Sequence, residues 1–282
     1  MTVTVLDSRQ IMPRVFQDGA YKLAMGLNRL ELDDWLWCTE HYAAEIAHKR
    51  HLLDQGADIV AELPEAAPAV AETLALIEAH LARFAPQLLP GATAPPLIRA
   101  GLLVQEDLCL MAPSTDGYRL VAAFLAFPAR WRLADKIGQP MRAIHTPVPG
   151  FAERLGATAD RFFGAIAVER PVWRANWSIL DDPELHQPEA KRRYQRIEVT
   201  PENAGERLWL RVERQTLRRL PETGMVLFTI HTFVRPLADI AADPRAAQAL
   251  ADRLDEMPAA MLAYKNMAGL KPAVQAYLRG QV

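Results

Sequence analysis

Cysteine is nearly absent: Cys38 and Cys109 are the only two in 282 residues, far apart and without partner spacing. That excludes a disulfide framework and leaves a cysteine zinc site unsupported. An excess of one charge is lacking as well. The 32 basic residues stand against 34 acidic ones, a formal net charge of −2. No sustained basic run breaks that balance, so nucleic-acid binding through a broad electrostatic footprint is not expected. No run of about 18 apolar residues could span a bilayer. The N-terminal MTVTVLDSRQIMPRVFQDG has no charged start followed by a long apolar run, so no signal peptide is evident and the cytoplasm is the expected compartment. Also missing are a GxGxxG after a strand, a phosphate loop ending GK[ST], a GxSxG elbow, internal repeats and low-complexity tracts.

What is present is ordinary globular material, 50% hydrophobic and 23% charged, long enough to bury a substantial core. Asp33-Asp34 precede WLWCTEHYAAEIAHKRHLLDQG, which predicts a helix stopping at Gly56. A second helix is expected from about Glu65 to Phe84, and GATAPP at 91–96 reads as a turn or short linker. From Asp107 the period becomes strand-like: DLCLMAP, a turn at Ser114–Gly117, then YRLVAAFLAFP. Pro147 and Pro149 punctuate a bend after His145, followed by an expected helix from about Phe151 to Val168. Trp173 to Ile179 reads as a strand and DDPELHQP as a loop. The tail from Asp243 to Leu278 reads as helical, broken at Pro258 and Gly269. About five strands bracketed by helices predict an α+β fold with an antiparallel sheet, in a single domain over residues 1–282.

The stretch from Arg207 to Pro236 predicts a long hairpin turning at Pro221–Gly224. Alternation puts Trp209, Arg211, Glu213 and Gln215 on one face and Leu208, Leu210 and Val212 on the other. The first set either faces water as cross-strand ion pairs or lines a pocket for something charged. His48 and His51, three apart on the first helix, could hold a metal, but no HExxH accompanies them and Lys49, Arg50 and Asp54 surround them. They read as a solvated helix face, as do His41 and His80. His186 sits in a polar, proline-rich loop and carries no assignment. His145, in RAIHTPVPG, is different: flanking prolines restrict the backbone, and rigid placement of an imidazole is what an axial ligand needs. A hydrogen-bonded structural histidine is the alternative. His231, on the second hairpin strand, either lines the same cavity or pairs across the strands.

The segments FQDGAYKLAMGLNRLELDDWLWCTEHYAAEIAHKRHLL, FPARWRLADKIGQPMRAIHTPVPGF, WRANWSILDDPEL and LWLRVERQTLRRLPETGMVLFTIHTFVRPL occur in that order. Together, over about residues 16 to 280, they resemble the haem-dependent oxidative N-demethylase alpha-subunit family. The resemblance implies a PAS-like antiparallel sheet, with its core at about 100–236 and helical N- and C-terminal extensions, that holds haem b. It implies oxidation of a small secondary methylamine, dimethylamine-like, with O₂ as co-substrate and release of formaldehyde. Electrons would come from a partner reductase carrying NADPH, flavin and iron–sulfur centres on separate chains. A tetrahydrofolate-binding subunit would trap the formaldehyde. His145, in the family's IHxPVPG block, is then the candidate proximal haem ligand. Lys136, Arg211, Arg214, Arg218 and Arg219 are candidate partners of the haem propionates. Glu213 is the candidate substrate contact, with Trp177 and Trp209 as an aromatic wall for a cation and His231 beside them. Asn176 and Ser178 offer neutral hydrogen bonds. No CxxCH is present, so any haem is held non-covalently, and neither cysteine is placed as a thiolate ligand. The competing class is a non-catalytic PAS-like haem or small-molecule sensor, which would usually be joined to an output module; no DNA-binding or kinase segment is evident.

Overall fold

The computed structural model describes residues 7–8, 26–89, 93–151, 156–189 and 198–280. Residues 91–92 of the expected GATAPP turn, 152–155 of the expected helix and 16–25 of the first resembling block lie outside the described residues. Among the described residues seven strands build one sheet: β1 (Asn28–Arg29), β2 (Val60–Glu62), β3 (Asp107–Ser114), β4 (Gly117–Phe124), β5 (Val172–Leu180), β6 (Trp209–Arg219) and β7 (Val226–Pro236). Their spatial order is β1-β5-β6-β7-β3-β4-β2, and all neighbours in that order pair antiparallel. The α+β class with helical extensions is what the pattern of strands and helices anticipated.

The five expected strands are β3 to β7. Turn chemistry sets both hairpins: Gly117 has φ 95° and Gly224 has φ 69°, left-handed values that a side chain resists. β1 and β2 are too short to show a period, and nothing in their residues marked them as strands.

The helices are α1 (Tyr42–Asp54), α2 (Ala67–Phe84), α3 (Pro96–Leu103), α4 (Met141–Ile144), α5 (Ala157–Ala165), α6 (Ala204–Arg207), α7 (Leu237–Ala241), α8 (Pro244–Glu256), α9 (Ala259–Tyr264) and α10 (Lys271–Gly280). The first helix begins at Tyr42, not beside Asp34. Trp35 and Trp37 are buried in two different clusters. The Trp37 amide donates to Glu106 Oε1 at 2.9 Å and the Thr39 amide to Gln105 Oε1 at 2.7 Å. Side chains preceding β3 thus capture the amides of this segment. The helix ends as expected before Gly56, with φ 68°. α3 was not anticipated, although Pro96 stands at its first position. In the tail the breaks at Pro258 and Gly269 separate α8, α9 and α10 as expected.

The two sheet faces have different covers. On one, Leu108, Leu110 and Leu227 pack on α1, α2 and α3 through Leu52, Val70, Ile77 and Leu97. The same face continues along β5, β6 and β7, where Ile179, Leu210, Val212 and Phe233 meet Leu250, Leu254 and Val274 of the C-terminal helices. On the other face Cys109, Met111, Leu217 and Val226 pack against Phe151 and Phe163 near α4 and α5. No helix among the described residues is long and apolar enough to cross a membrane.

Candidate functional site

The second face turns polar midway along β5, β6 and β7. Register places Asn176 opposite Glu213 and Glu213 opposite Thr232, with Arg174 opposite Gln215 and Ser178 opposite Arg211. Residues so paired share a face, with Cβ atoms about 5 Å apart. Glu213 Oε2 accepts from Asn176 Nδ2 at 3.2 Å and from Gln215 Nε2 at 3.1 Å, while Oε1 lies 3.6 Å from Arg211 Nε. The Thr232 hydroxyl is buried and has no hydrogen-bond partner among the described residues, an uncommon condition that marks a place for a further group. Trp209 shares this face, but it pairs with Leu180 and Pro236 at the end of the strands, about 13 Å along from Glu213.

His145 follows α4 at the start of the turn that the prolines enforce. Its Nδ1 lies 2.9 Å from the Met141 carbonyl. A carbonyl only accepts, so Nδ1 carries the hydrogen and Nε2 keeps the lone pair. The ring stacks on Phe151 with centroids 4.6 Å apart and 15° between planes. Burial, followed by the charges of Arg174 and Lys136, holds its pKa below the usual histidine range, against the raising effect of the Met141 bond. The imidazole is therefore neutral near pH 7. Lys136 Nζ donates to the Ile144 carbonyl at 3.0 Å, beside His145.

Two cations at this face were not singled out from the sequence. Arg174 had a readable signal, because it alternates with Asn176 and Ser178 along β5. Lys265 had none, since only the tertiary fold brings the turn after α9 against β5. Its Nζ donates to Asn176 Oδ1 at 2.9 Å and to the Trp177 carbonyl at 2.6 Å. Burial pulls its pKa down to about 8, with Glu213 opposing the fall and Arg174 adding to it.

Other expected site residues are not brought together with His145. Arg214, Trp177 and His231 lie on the opposite face, because they sit out of phase with Glu213 on their strands. Arg214 is fully buried, donates to the carbonyls of Trp35 and Asp34, and lies 4.5 Å over the Trp37 ring. Trp177 packs against the C-terminal cluster. His231 Nδ1 meets Glu106 Oε1 at 3.1 Å, and the ring stacks on Phe233 with centroids 4.4 Å apart. Arg218 stacks over Trp35 at 4.4 Å. Arg219 is on the face of Glu213 but at its far end, donating to the carbonyls of Phe163, Ile166 and Gly224. Arg211 is buried and donates to the carbonyls of Phe127 and Leu185. Of the expected propionate partners, Lys136 is the one beside His145.

The remaining histidines differ in detail from expectation. His80 is not on a solvated face: its ring packs on Trp35 at 5.5 Å and Phe84 at 4.7 Å. His48 tilts against Phe127 at 5.5 Å, whereas His41 and His51 are exposed. His186 Nδ1 meets the Ala126 carbonyl at 2.6 Å. No group of three or more His, Cys, Asp or Glu that could hold a metal ion occurs among the described residues. Burial, with Glu106 adding to it, pushes the Cys38 thiol up to about 11, and burial raises that of Cys109 too. Neither is a thiolate at neutral pH.

His145 offers a neutral imidazole whose Nε2 keeps its lone pair, with the cations Lys136 and Arg174 near it; these residue types could hold a metal-centred group that carries carboxylates. A family model described as haem-dependent oxidative N-demethylase, alpha subunit-like, matches residues 85–275. The match takes in β3 to β7, His145, Glu213 and Lys265. The chain belongs to the haem-dependent oxidative N-demethylase, alpha subunit-like family.

Proposed function

We propose that the protein oxidatively demethylates a small secondary amine, dimethylamine-like, in a haem-dependent reaction. One oxygen atom of O₂ ends in formaldehyde and the other in water. Two electrons and two protons are consumed, and the C–N bond of the methyl group breaks to leave the shorter amine. A bound haem b supplies the reduction of O₂ and the oxidation of the methyl C–H bond. His145 Nε2 is the iron ligand, and the Met141 carbonyl fixes its tautomer and ring orientation. Arg174 and Lys136 hold the propionates. Glu213 seats the amine as a cation, oriented by the amide groups of Asn176 and Gln215, and Thr232 lends its hydroxyl to the bound ligand. Ser178 and Trp209 extend this face, while Arg214, Trp177 and His231 serve the packing of the opposite one. Electrons arrive from a separate reductase with NADPH, flavin and iron–sulfur centres, and a tetrahydrofolate-binding subunit takes the formaldehyde. We place the reaction in the cytoplasm, in a single domain with a PAS-like core.

The observation that carries this reading is the Nδ1 contact of His145 with Met141, 2.9 Å, which leaves one ring nitrogen available in a neutral imidazole. A second reading, a non-catalytic PAS-like haem or small-molecule binding protein, draws on the charge around Glu213. Arg211 and Lys265 already offset that carboxylate, so a substrate cation is not needed to balance it. Reconstitution with haemin, a supplied reductase and NADPH separates the two. Dimethylamine-dependent O₂ consumption with formaldehyde release is the expected result. Stoichiometric haem with O₂ consumption indifferent to amine would leave the binding-protein reading in its place.

A further inference from the structure

We propose that the preferred substrate is a secondary methylamine that also bears a carboxylate, with Lys265 as its specificity-determining partner. This rests on the reading of Glu213 as the amine seat. Asn176 bridges two opposite charges: its Nδ2 donates to Glu213 at 3.2 Å, and its Oδ1 accepts from Lys265 Nζ at 2.9 Å. The orientation of the amide is forced, because an ammonium has only donors and a carboxylate only accepts. A carboxylate and an ammonium thus stand on either side of one side chain, the reverse polarity of an amino acid zwitterion. Lys265 has three N–H donors, of which Asn176 and the Trp177 carbonyl take two. The ammonium also lies 6.0 Å from the centroid of the Trp177 ring, and no carboxylate is hydrogen-bonded to it among the described residues.

The position of Lys265 is stiff. Its backbone amide donates to Met261, the next residue Asn266 is left-handed at φ 55°, and Met267 is 1% exposed in the C-terminal cluster. Arg174 shares the face of Asn176, two residues before it on β5, and adds a second cation to this side of the site. A bare dialkylammonium at Glu213 meets Lys265 and Arg211 as like charges, which weakens its binding. A carboxylate on the same ligand turns the Lys265 contact into a charge-assisted hydrogen bond.

Isothermal titration of the haem-loaded protein with dimethylammonium and with N-methylglycine tests this. N-methylglycine should bind about tenfold tighter than dimethylammonium, the range for one hydrogen bond to a charged group. Lys265→Met should remove that preference, weakening N-methylglycine about tenfold while leaving dimethylammonium as tight or tighter. Haem content should stay unchanged. Glu213→Gln should weaken both probes. Equal affinity for the two probes in the wild type, or parallel changes with both in Lys265→Met, would overturn the proposal while leaving the amine seat standing. Loss of haem from Lys265→Met would instead make Lys265 a propionate partner and overturn it as well. If Glu213→Gln leaves both affinities unaltered, the amine seat itself fails. Should Lys265→Met not fold, Lys265→Gln, which keeps a hydrogen-bond donor but no charge, must lose the preference for N-methylglycine.

Discussion

In the proposed reaction Glu213 is the residue on which the amine chemistry turns. Two neutral amides, from Asn176 and Gln215, hold Oε2; they fix the carboxylate without cancelling it. Glu213→Gln keeps the shape and removes the charge, so dimethylammonium binding should weaken by about 1.5–3 kcal/mol, roughly a tenfold to hundredfold rise in Kd. Perturbation of the Soret band on titration with amine measures it, and an unchanged midpoint would reduce Glu213 to a structural partner of Arg211. Alternation along β6 made the shared face of Trp209, Arg211 and Glu213 legible in the sequence, because the period of a strand is fixed by its geometry. The same rule puts Arg214, one residue on, on the other face. Its guanidinium proves to serve Trp35, Asp34 and Trp37. Arginine content alone does not tell a cofactor clamp from a buried strut. Lys265 was illegible for a different reason: its partners are 88 and 89 residues away, and no local pattern encodes such a distance.

At the scale of elements, the β6–β7 hairpin organises the site, and its turn is tied down from outside the sheet. Glu72 of α2 accepts from the Glu222 amide at 2.7 Å, the Thr223 amide at 2.9 Å and the Thr223 hydroxyl at 2.7 Å. It is 7% exposed, and losing it removes three hydrogen bonds that tie the turn to α2. Glu72→Ala should cost about 1–3 kcal/mol, seen as a lower urea midpoint at unchanged m value. An unaltered midpoint would show that water replaces the carboxylate at no cost. The hairpin itself was plain in the sequence, from the Pro-Glu-Thr-Gly turn between two long strand patterns. The start of α1 was not. WLWCTEH has helical composition, yet Glu106 and Gln105 take the amides of Trp37 and Thr39, a tertiary override of local propensity. β1 and β2 owe their existence to pairing with Val172–Trp173 and with Ala122–Phe124, which their own residues do not announce.

Across the whole molecule, segments distant in the chain converge on one sheet. β1 and β2 close its two edges, α4 and its turn deliver His145 over one face, and the turn after α9 delivers Lys265 to the edge of β5. The order of strands and helices was readable because hairpin turns and helix breakers are local signals. The pairing of remote strands and the side on which each helix packs were not, because they depend on how the assembled apolar faces meet. The proposal that the IHTPVPG block is a ligand-bearing turn comes from the family resemblance and not from local pattern. The central claim is that His145, neutral and tautomerically fixed by Met141, binds the haem iron. Its most direct test is the absorption spectrum and haem stoichiometry of wild type and His145→Ala after reconstitution with haemin and removal of the excess. The wild type should show an intense Soret band at one haem per chain, and His145→Ala should lose that band while keeping its far-UV circular dichroism. Full haem occupancy with an unchanged spectrum in His145→Ala would contradict the account.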